Sequence, residues 1–213
     1  MRVKAVVFDL DGTLYESEEY VRQLMIGIRD ALADLLSITA READELLREI
    51  RSRFGSVTLG LRELGISRST FYDLLLKRLD PGEHIEPRPE LLRLFSDLRR
   101  RGLKLGCHTN ASRALAERVL EALGVDPKVF DAMVTCDDAD PKPTPDGYLR
   151  ILSLLDLRPE EVLYVGDRWR VELEPAKRLG MRTALVSRRL QGDPDIFLRD
   201  VMELSEKLGE LDC

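Results

Sequence analysis

Ala5-Val6-Val7-Phe8-Asp9-Leu10-Asp11-Gly12-Thr13 is the stretch whose reading decides the fold. An unbroken apolar run with β-branched residues stops abruptly at Asp and Gly. A strand buried on both faces of a parallel sheet has this composition, because neither face meets water. The strand is expected over Val3 to Phe8. Asp9 and Asp11 then sit at its carboxyl end, which is where open parallel sheets bind ligands.

The pattern changes from Ser17 to about Leu79. Leu24, Ile28, Leu32, Leu35 and Leu36 recur at helical spacing, followed by Leu46, Leu47 and Ile50, then Phe71, Leu74, Leu75 and Leu79. No strand pattern interrupts them. Asp80-Pro81-Gly82 and Pro87-Arg88-Pro89 break the chain. Beyond them helices and strands alternate. Helices are expected over Glu90–Arg101, Ala111–Leu123, Pro145–Leu155, about Leu173–Leu179, and Phe197–Leu208. Strands are expected over Leu103–Cys107, Ala132–Thr135, Val162–Val165 and Arg182–Val186. Gly124 and Gly180 stand where helices should stop. The expected fold class is α/β, a doubly wound parallel, Rossmann-like sheet with an inserted all-helical domain. Residues 1–14 and 87–213 form the expected core domain, and 15–86 the helical one.

Composition excludes several function classes. The 213 residues carry a net charge of −6, which disfavours nucleic acid and anionic membranes as partners. Only 7 of the 33 basic residues are Lys, so Arg dominates a chain that is 34% charged. Cys107, Cys136 and Cys213 lack metal-ligand spacing, and the first two read as buried thiols of a reducing compartment. No apolar run approaches the ~18 residues that span a bilayer, and the chain opens on a strand, not on a cleavable signal. The expected setting is cytoplasmic, as a monomer or small homo-oligomer without membrane partners.

Every strand end but the last carries polar groups. Asp9 and Asp11, two apart in an extended segment, point to one face. Two crowded carboxylates ionise together comfortably only beside a cation, and Mg²⁺ prefers such oxygen ligands. A carboxylate can also attack a phosphoryl group to form an aspartyl-phosphate. The alternative is that Asp11-Gly12 is only a turn. Thr109 and Asn110 precede a helix, where a hydroxyl, an amide and N-terminal N–H groups cradle an oxyanion, or simply cap the helix. Asp137-Asp138 follows the third strand. Lys142 lies among three prolines in Asp140-Pro141-Lys142-Pro143-Thr144-Pro145. It is either an inward ammonium that neutralises phosphoryl oxygens or a chance Lys on a rigid loop. Gly166-Asp167 closes the fourth strand and offers a further metal ligand. Glu172, five residues on, either orients the metal shell or is a first-turn helix acid.

Asp9-Leu10-Asp11-Gly12-Thr13, Thr109-Asn110, Lys142 and Gly166-Asp167, in this order, resemble the four motifs of the haloacid dehalogenase superfamily of phosphohydrolases. The resemblance covers Val3 to about Val186. It implies that Asp9 attacks phosphorus and that Asp11 protonates the leaving oxygen, then serves as base toward water. It implies that Thr109, Asn110 and Lys142 bind the phosphate, and that Asp9, the Asp11 carbonyl and Asp167 hold Mg²⁺. The insert is similar to the family's helical C1 cap, which closes over the site and chooses the substrate. The family often has Asp where this chain has Glu172, so an outer role supporting the ligands is expected there.

The partner implied is a small phosphorylated metabolite. Thr13-Leu14-Tyr15, Thr109-Asn110-Ala111 and Arg118-Val119-Leu120 resemble the pyrimidine 5′-nucleotidase-type branch, and the general frame resembles phosphoglycolate phosphatases. A nucleoside monophosphate and phosphoglycolate are therefore the candidate substrates. A 2-haloacid dehalogenase would use Asp9 but has no need of Asp11. A phosphomutase would need a cap that keeps water off the phospho-enzyme. A catalytically idle, partner-binding relative would lack at least one of Asp9, Asp11, Lys142 and Asp167. Trp169 is expected to pack rather than stack on a base, His108 to be satisfied by a neighbour, and His84 to lie in a plain loop.

Overall fold

The structure, a computed structural model, describes residues 3–209; Cys213 lies outside them. Its six strands are β1 (Ala5–Phe8), β2 (Lys104–His108), β3 (Ala132–Val134), β4 (Val162–Gly166), β5 (Arg182–Val186) and β6 (Ile196–Leu198). All pair in parallel, in the order β3-β2-β1-β4-β5-β6. β1 is central, as its unbroken apolar run requires. Side chains alternate across a pleated strand, so Val6 and Phe8 enter one core and Ala5 and Val7 the other.

The helices are α1 (Glu18–Leu36), α2 (Ala40–Phe54), α3 (Val57–Glu63), α4 (Arg68–Leu76), α5 (Glu90–Arg100), α6 (Arg113–Ala122), α7 (Asp146–Leu155), α8 (Glu174–Arg178) and α9 (Leu204–Lys207). Leu91, Leu94, Phe95 and Leu98 form the apolar stripe of α5 and fill the first core. Tyr148, Ile151, Leu152 and Leu155 of α7 fill the second. The sheet is thus covered on both faces. Among the described residues no helix is long and apolar enough to cross a membrane.

Residues 18–76 form four helices and no strand. Ser17 caps α1 by accepting from the Tyr20 N–H at 3.1 Å, and a Thr39–Glu42 capping box starts α2. Two ties hold the connecting segments side by side. The Ser17 hydroxyl donates to the His84 carbonyl at 2.7 Å, and Arg88 donates to the Leu14 carbonyl at 2.9 Å.

The C-terminal segment departs from the sequence expectation of one helix over Phe197–Leu208. Phe197 lies in β6, and helix is confined to a short turn followed by α9. The segment is pinned to β5 when Asp195 accepts from the Thr183 N–H at 2.8 Å and hydroxyl at 2.9 Å. A three-residue strand is too short to show a period of two.

The first core centres on edge-to-face rings: Phe95 lies 5.6 Å from Phe8 and 5.5 Å from Phe130 between centroids. Phe95→Ala should therefore cost about 3–5 kcal/mol of folding free energy, read from the urea midpoint. A loss near zero would mean that this core repacks freely.

Candidate active site

Asp9 continues β1 by one residue, its N–H donating to the Val165 carbonyl of β4 at 2.9 Å. The chain then turns back at Leu10, whose carbonyl accepts from the Thr13 and Leu14 N–H groups. Gly12 has φ +89°, and a Cβ there would lie 2.7 Å from Asp167 Oδ2. Only glycine lets the loop after β1 close onto the loop after β4. Asp9 is buried, and the Thr13 hydroxyl donates to its Oδ2 at 3.3 Å. Asp11 is half-buried, and Tyr15 Oη donates to its Oδ1 at 2.5 Å.

Lys142 is wholly buried. Its ammonium donates to Asp9 Oδ1, to the His108 carbonyl at 3.1 Å and to Glu172 Oε1 at 3.5 Å. The backbone of Lys142 is clamped by Asn110: the Asn110 amide donates to the Lys142 carbonyl at 3.1 Å and accepts from its N–H at 2.8 Å. The sequence placed Asn110 in the phosphate cradle. Its side chain is instead committed to holding the lysine segment. Thr109 is buried beside it, its Oγ1 accepting from the Ala111 N–H at 3.1 Å while its hydroxyl proton stays available. The helix expected from Ala111 starts only at Arg113, with Ser112 as its cap. Residues 109–112 are therefore free to line the site.

Asp167 follows Gly166, where a Cβ would meet Glu172 Oε2 at 2.6 Å. The helix expected from about Leu173 is preceded by a wide π-helical turn, Trp169–Leu173. That turn carries Glu172 back under the loop. Glu172 Oε2 accepts from the Asp167 and Arg168 N–H groups at 3.1 and 3.2 Å, and Oε1 accepts from Arg168 Nε at 2.9 Å. A shorter Asp would reach less far, which gives the extra methylene a use.

Charge follows burial. Burial, and next the Glu172 charge, push Asp9 up to about 6. The same two causes, joined by Asp9, push Asp167 up to about 8. Burial raises Asp11, against the Tyr15 hydrogen bond. Burial would also raise Glu172, but Lys142 and Arg168 outweigh it and hold Glu172 low. Burial would lower Lys142, yet Asp9 and Glu172 raise it, so the ammonium stays charged.

A cation fits this donor set. Oxygens of Asp9, Asp167 and Glu172 lie within 4.8 Å of one another. Asp167 Oδ1 is buried without a hydrogen-bond partner, a costly state that a metal would relieve. Each Glu172 oxygen accepts from at least two nitrogens, whereas Asp9 Oδ2 accepts only from the Thr13 hydroxyl at 3.3 Å and Asp167 Oδ1 has no hydrogen bond, so Asp9 and Asp167 are the available ligands and Glu172 supports them.

A hydrolase-family model, described as haloacid dehalogenase-like hydrolase, matches residues 3–180. The chain belongs to this family. A glyceraldehyde 3-phosphate phosphatase of Methanopyrus kandleri is 27% identical, with 98% of each chain covered. Pyrophosphatase PpaX of Bacillus cereus is 28% identical, with 99% of each covered. A HAD phosphatase structure from Thermococcus onnurineus superposes with a TM-score of 0.73 at 28% identity, over 97% of this chain and 98% of that one. This haloacid dehalogenase-like chain is accordingly an enzyme whose relatives are phosphatases and pyrophosphatases.

The structure thus gathers Asp9, Lys142, Asp167 and Glu172 into direct contact or near-contact. It leaves Asp137 and Asp138 outside, where they anchor Arg113 and Thr135. His108 is buried, with Tyr164 Oη 3.0 Å from its Nδ1, and burial, then Lys142, drives its pKa far down. The Trp169 ring lies under Gly192, where an added Cβ would come within 1.9 Å, so it packs. His84 contributes its carbonyl to Ser17. Arg168 and Tyr15 went unassigned in the sequence. Arg168 follows the fourth motif directly; the signal for Tyr15 is its distance of four residues from Asp11, which a tight turn closes.

Glu172→Ala would take the acceptor from the Asp167 and Arg168 N–H groups and from the Arg168 guanidinium, and one of three partners from the buried Lys142 ammonium. It should destabilise the protein by about 3–5 kcal/mol, read by denaturant titration. An unchanged midpoint would show that these donors find other partners.

Proposed function

We propose that this chain is a Mg²⁺-dependent phosphatase of small phosphate monoesters working through an aspartyl-phosphate on Asp9. The observation that carries the reading is a buried Asp9 carboxylate held by a fully buried Lys142 ammonium, with an Asp167 oxygen nearby that accepts no hydrogen bond. Asp9 attacks phosphorus, and the bond from phosphorus to the ester oxygen breaks. Asp11, which burial keeps protonated to higher pH, gives its proton to that oxygen. Ionised Asp11 then takes a proton from water as the water attacks the acyl phosphate, which releases inorganic phosphate and restores Asp9. Tyr15 Oη fixes the aim of Asp11. Lys142 and the Thr109 hydroxyl meet the phosphoryl oxygens. Asp9, Asp167 and the Asp11 carbonyl would hold Mg²⁺, which supplies positive charge for the phosphoryl oxygens and the crowded carboxylates.

The named activities of the relatives support phosphate chemistry, but glyceraldehyde 3-phosphate and pyrophosphate differ too much to hand a substrate on. Asp11 favours this reading over dehalogenation, which needs no acid there. The four helices of 15–86 serve as the cap, and how well they exclude water decides between hydrolysis and phosphoryl transfer to a second substrate.

A screen of phosphate monoesters with and without Mg²⁺ should show metal-dependent release of phosphate. No turnover of any ester, an activated aryl phosphate included, would sink the proposal. Asp9→Asn should abolish turnover with the fold intact by circular dichroism; retained activity would remove Asp9 as nucleophile.

A pH dependence follows from the raised carboxylates. Native Asp9 and Asp167 hold protons at pH values where unfolded carboxylates, near 3.8, have lost them. These groups therefore cost the metal-free protein stability as pH rises from about 4 toward about 8. A divalent cation binds the ionised forms, so apparent Mg²⁺ affinity should climb between about pH 6 and 8 and then level. Calorimetric titration at several pH values measures this, and an affinity independent of pH would contradict it.

A further inference from the structure

Two cavities share the floor made by Asp11, Gly12, Asp167 and Arg168. The one toward the loop after β5 encloses about 640 Å³ and is edged by Glu16 and Glu18 and by Arg188 and Arg189, with Arg188 paired to Glu16 at 3.0 Å. That rim is charged on both signs, and none of residues 109–111 lines it. The other encloses about 540 Å³ between the floor and α1–α4, and it also reaches Asn110 and Ala111 beside the Thr109 turn. Asp11 and Asp167 are its only acids. A substrate whose phosphate lies on the floor extends into this second space.

The walls of that space are apolar along α1 and α4, with Arg51, Ser56, Thr58, Tyr72 and Asn110 between them. Val21, Leu24, Met25 and Ile28 fall at i, i+3, i+4 and i+7 on α1, a single apolar stripe. Phe71 and Leu75, one turn apart on α4, close the opposite side. Val21 is 52% exposed, an unusual state for an apolar side chain facing a cavity beside a catalytic floor. Arg51 on α2 turns its guanidinium onto the Met25 thioether at 2.6 Å, with no carboxylate partner among the described residues. The Thr58 and Tyr72 hydroxyls are 2.9 Å apart, Tyr72 Oη donates to the Asn110 carbonyl, and the Asn110 amide holds Lys142, so few of these groups are left for a sugar hydroxyl, and burying one unpaired is unfavourable.

We infer that this cavity takes the apolar body of a phosphate monoester, an alkyl or ring-bearing group of about six carbons or more, rather than a polyhydroxylated one. The inference rests on the phosphatase reading for the position of the phosphate. The volume supports it, since pockets of roughly 300–1,000 Å³ enclose ligands well above triose size. It sets this chain apart from relatives named for glyceraldehyde 3-phosphate and pyrophosphate.

Non-hydrolysable alkylphosphonates test the cavity without turnover. Ethyl-, butyl- and hexylphosphonate are titrated calorimetrically into the full chain at saturating Mg²⁺. Each buried methylene, worth about 0.8 kcal/mol, should tighten binding about fourfold, which makes hexylphosphonate on the order of 100-fold tighter than ethylphosphonate. Equal dissociation constants across the series, or tighter binding of 2,3-dihydroxypropylphosphonate than of butylphosphonate, would overturn the inference. Met25→Ser, at a half-buried position that lines this cavity and not the other, should cut the hexyl-to-ethyl affinity ratio about two- to fivefold. An unchanged ratio would place the chain elsewhere and overturn it too. A steep phosphonate series with no hydrolysis of hexyl phosphate would uphold the cavity assignment and defeat the phosphatase reading, so the two fail separately.

Discussion

The buried contact between Lys142 and Asp9, seconded by Glu172, is the constraint on which the rest of the site depends. Three charges out of water are unfavourable unless each finds an opposite charge and its remaining hydrogen bonds are met. The fold meets that demand from four directions. β1 delivers Asp9, the segment after β3 delivers Lys142, the turn after β4 delivers Glu172, and the β2 end contributes the His108 carbonyl. Asn110 fixes the lysine backbone and Arg168 shares the Glu172 charge. Among the described residues, Asp167 Oδ1 accepts no hydrogen bond and has only Arg168 Nε near it, at 3.7 Å.

On the proposed function, chemistry and selection are carried by different parts of the chain. Strand ends supply the reacting and ligating groups, and their positions follow from sheet register. The helices of 18–76 supply apolar walls above them, and their composition answers to what they admit. The two meet through contacts such as Tyr72 Oη, which donates to the Asn110 carbonyl at 3.1 Å, and Arg68, which donates to the Cys136 carbonyl at 3.0 Å and pairs with Asp140.

The parts legible in the sequence were those written locally. An apolar run ending in Asp9-Leu10-Asp11-Gly12 announced a central strand with carboxylates at its tip, and the alternation from Glu90 onward announced the parallel sheet. β6 escaped because a strand of three residues has no period to read. The commitment of Asn110 to Lys142 escaped because the two are 32 positions apart, and either polar atom of an Asn suits a cap, a cradle or a clamp. Glu172 was visible as an acid five residues past Asp167. That it turns inward depends on a π-helical turn, for which the sequence carries no clear signal. The stripe Val21-Leu24-Met25-Ile28 was visible as a stripe, but periodicity does not say whether it faces a core or a cavity.

The most direct test is chemical capture of the acyl phosphate. The Mg²⁺-loaded enzyme is quenched with acid during turnover, reduced with borohydride, digested, and mapped by mass spectrometry. Reduction of an aspartyl-phosphate yields homoserine in place of the aspartate that carried it. Homoserine in place of Asp9, and its absence when ester is omitted, is the predicted result. Phosphate released at an undiminished rate with Asp9 unmodified, or the mark on another carboxylate, would contradict it.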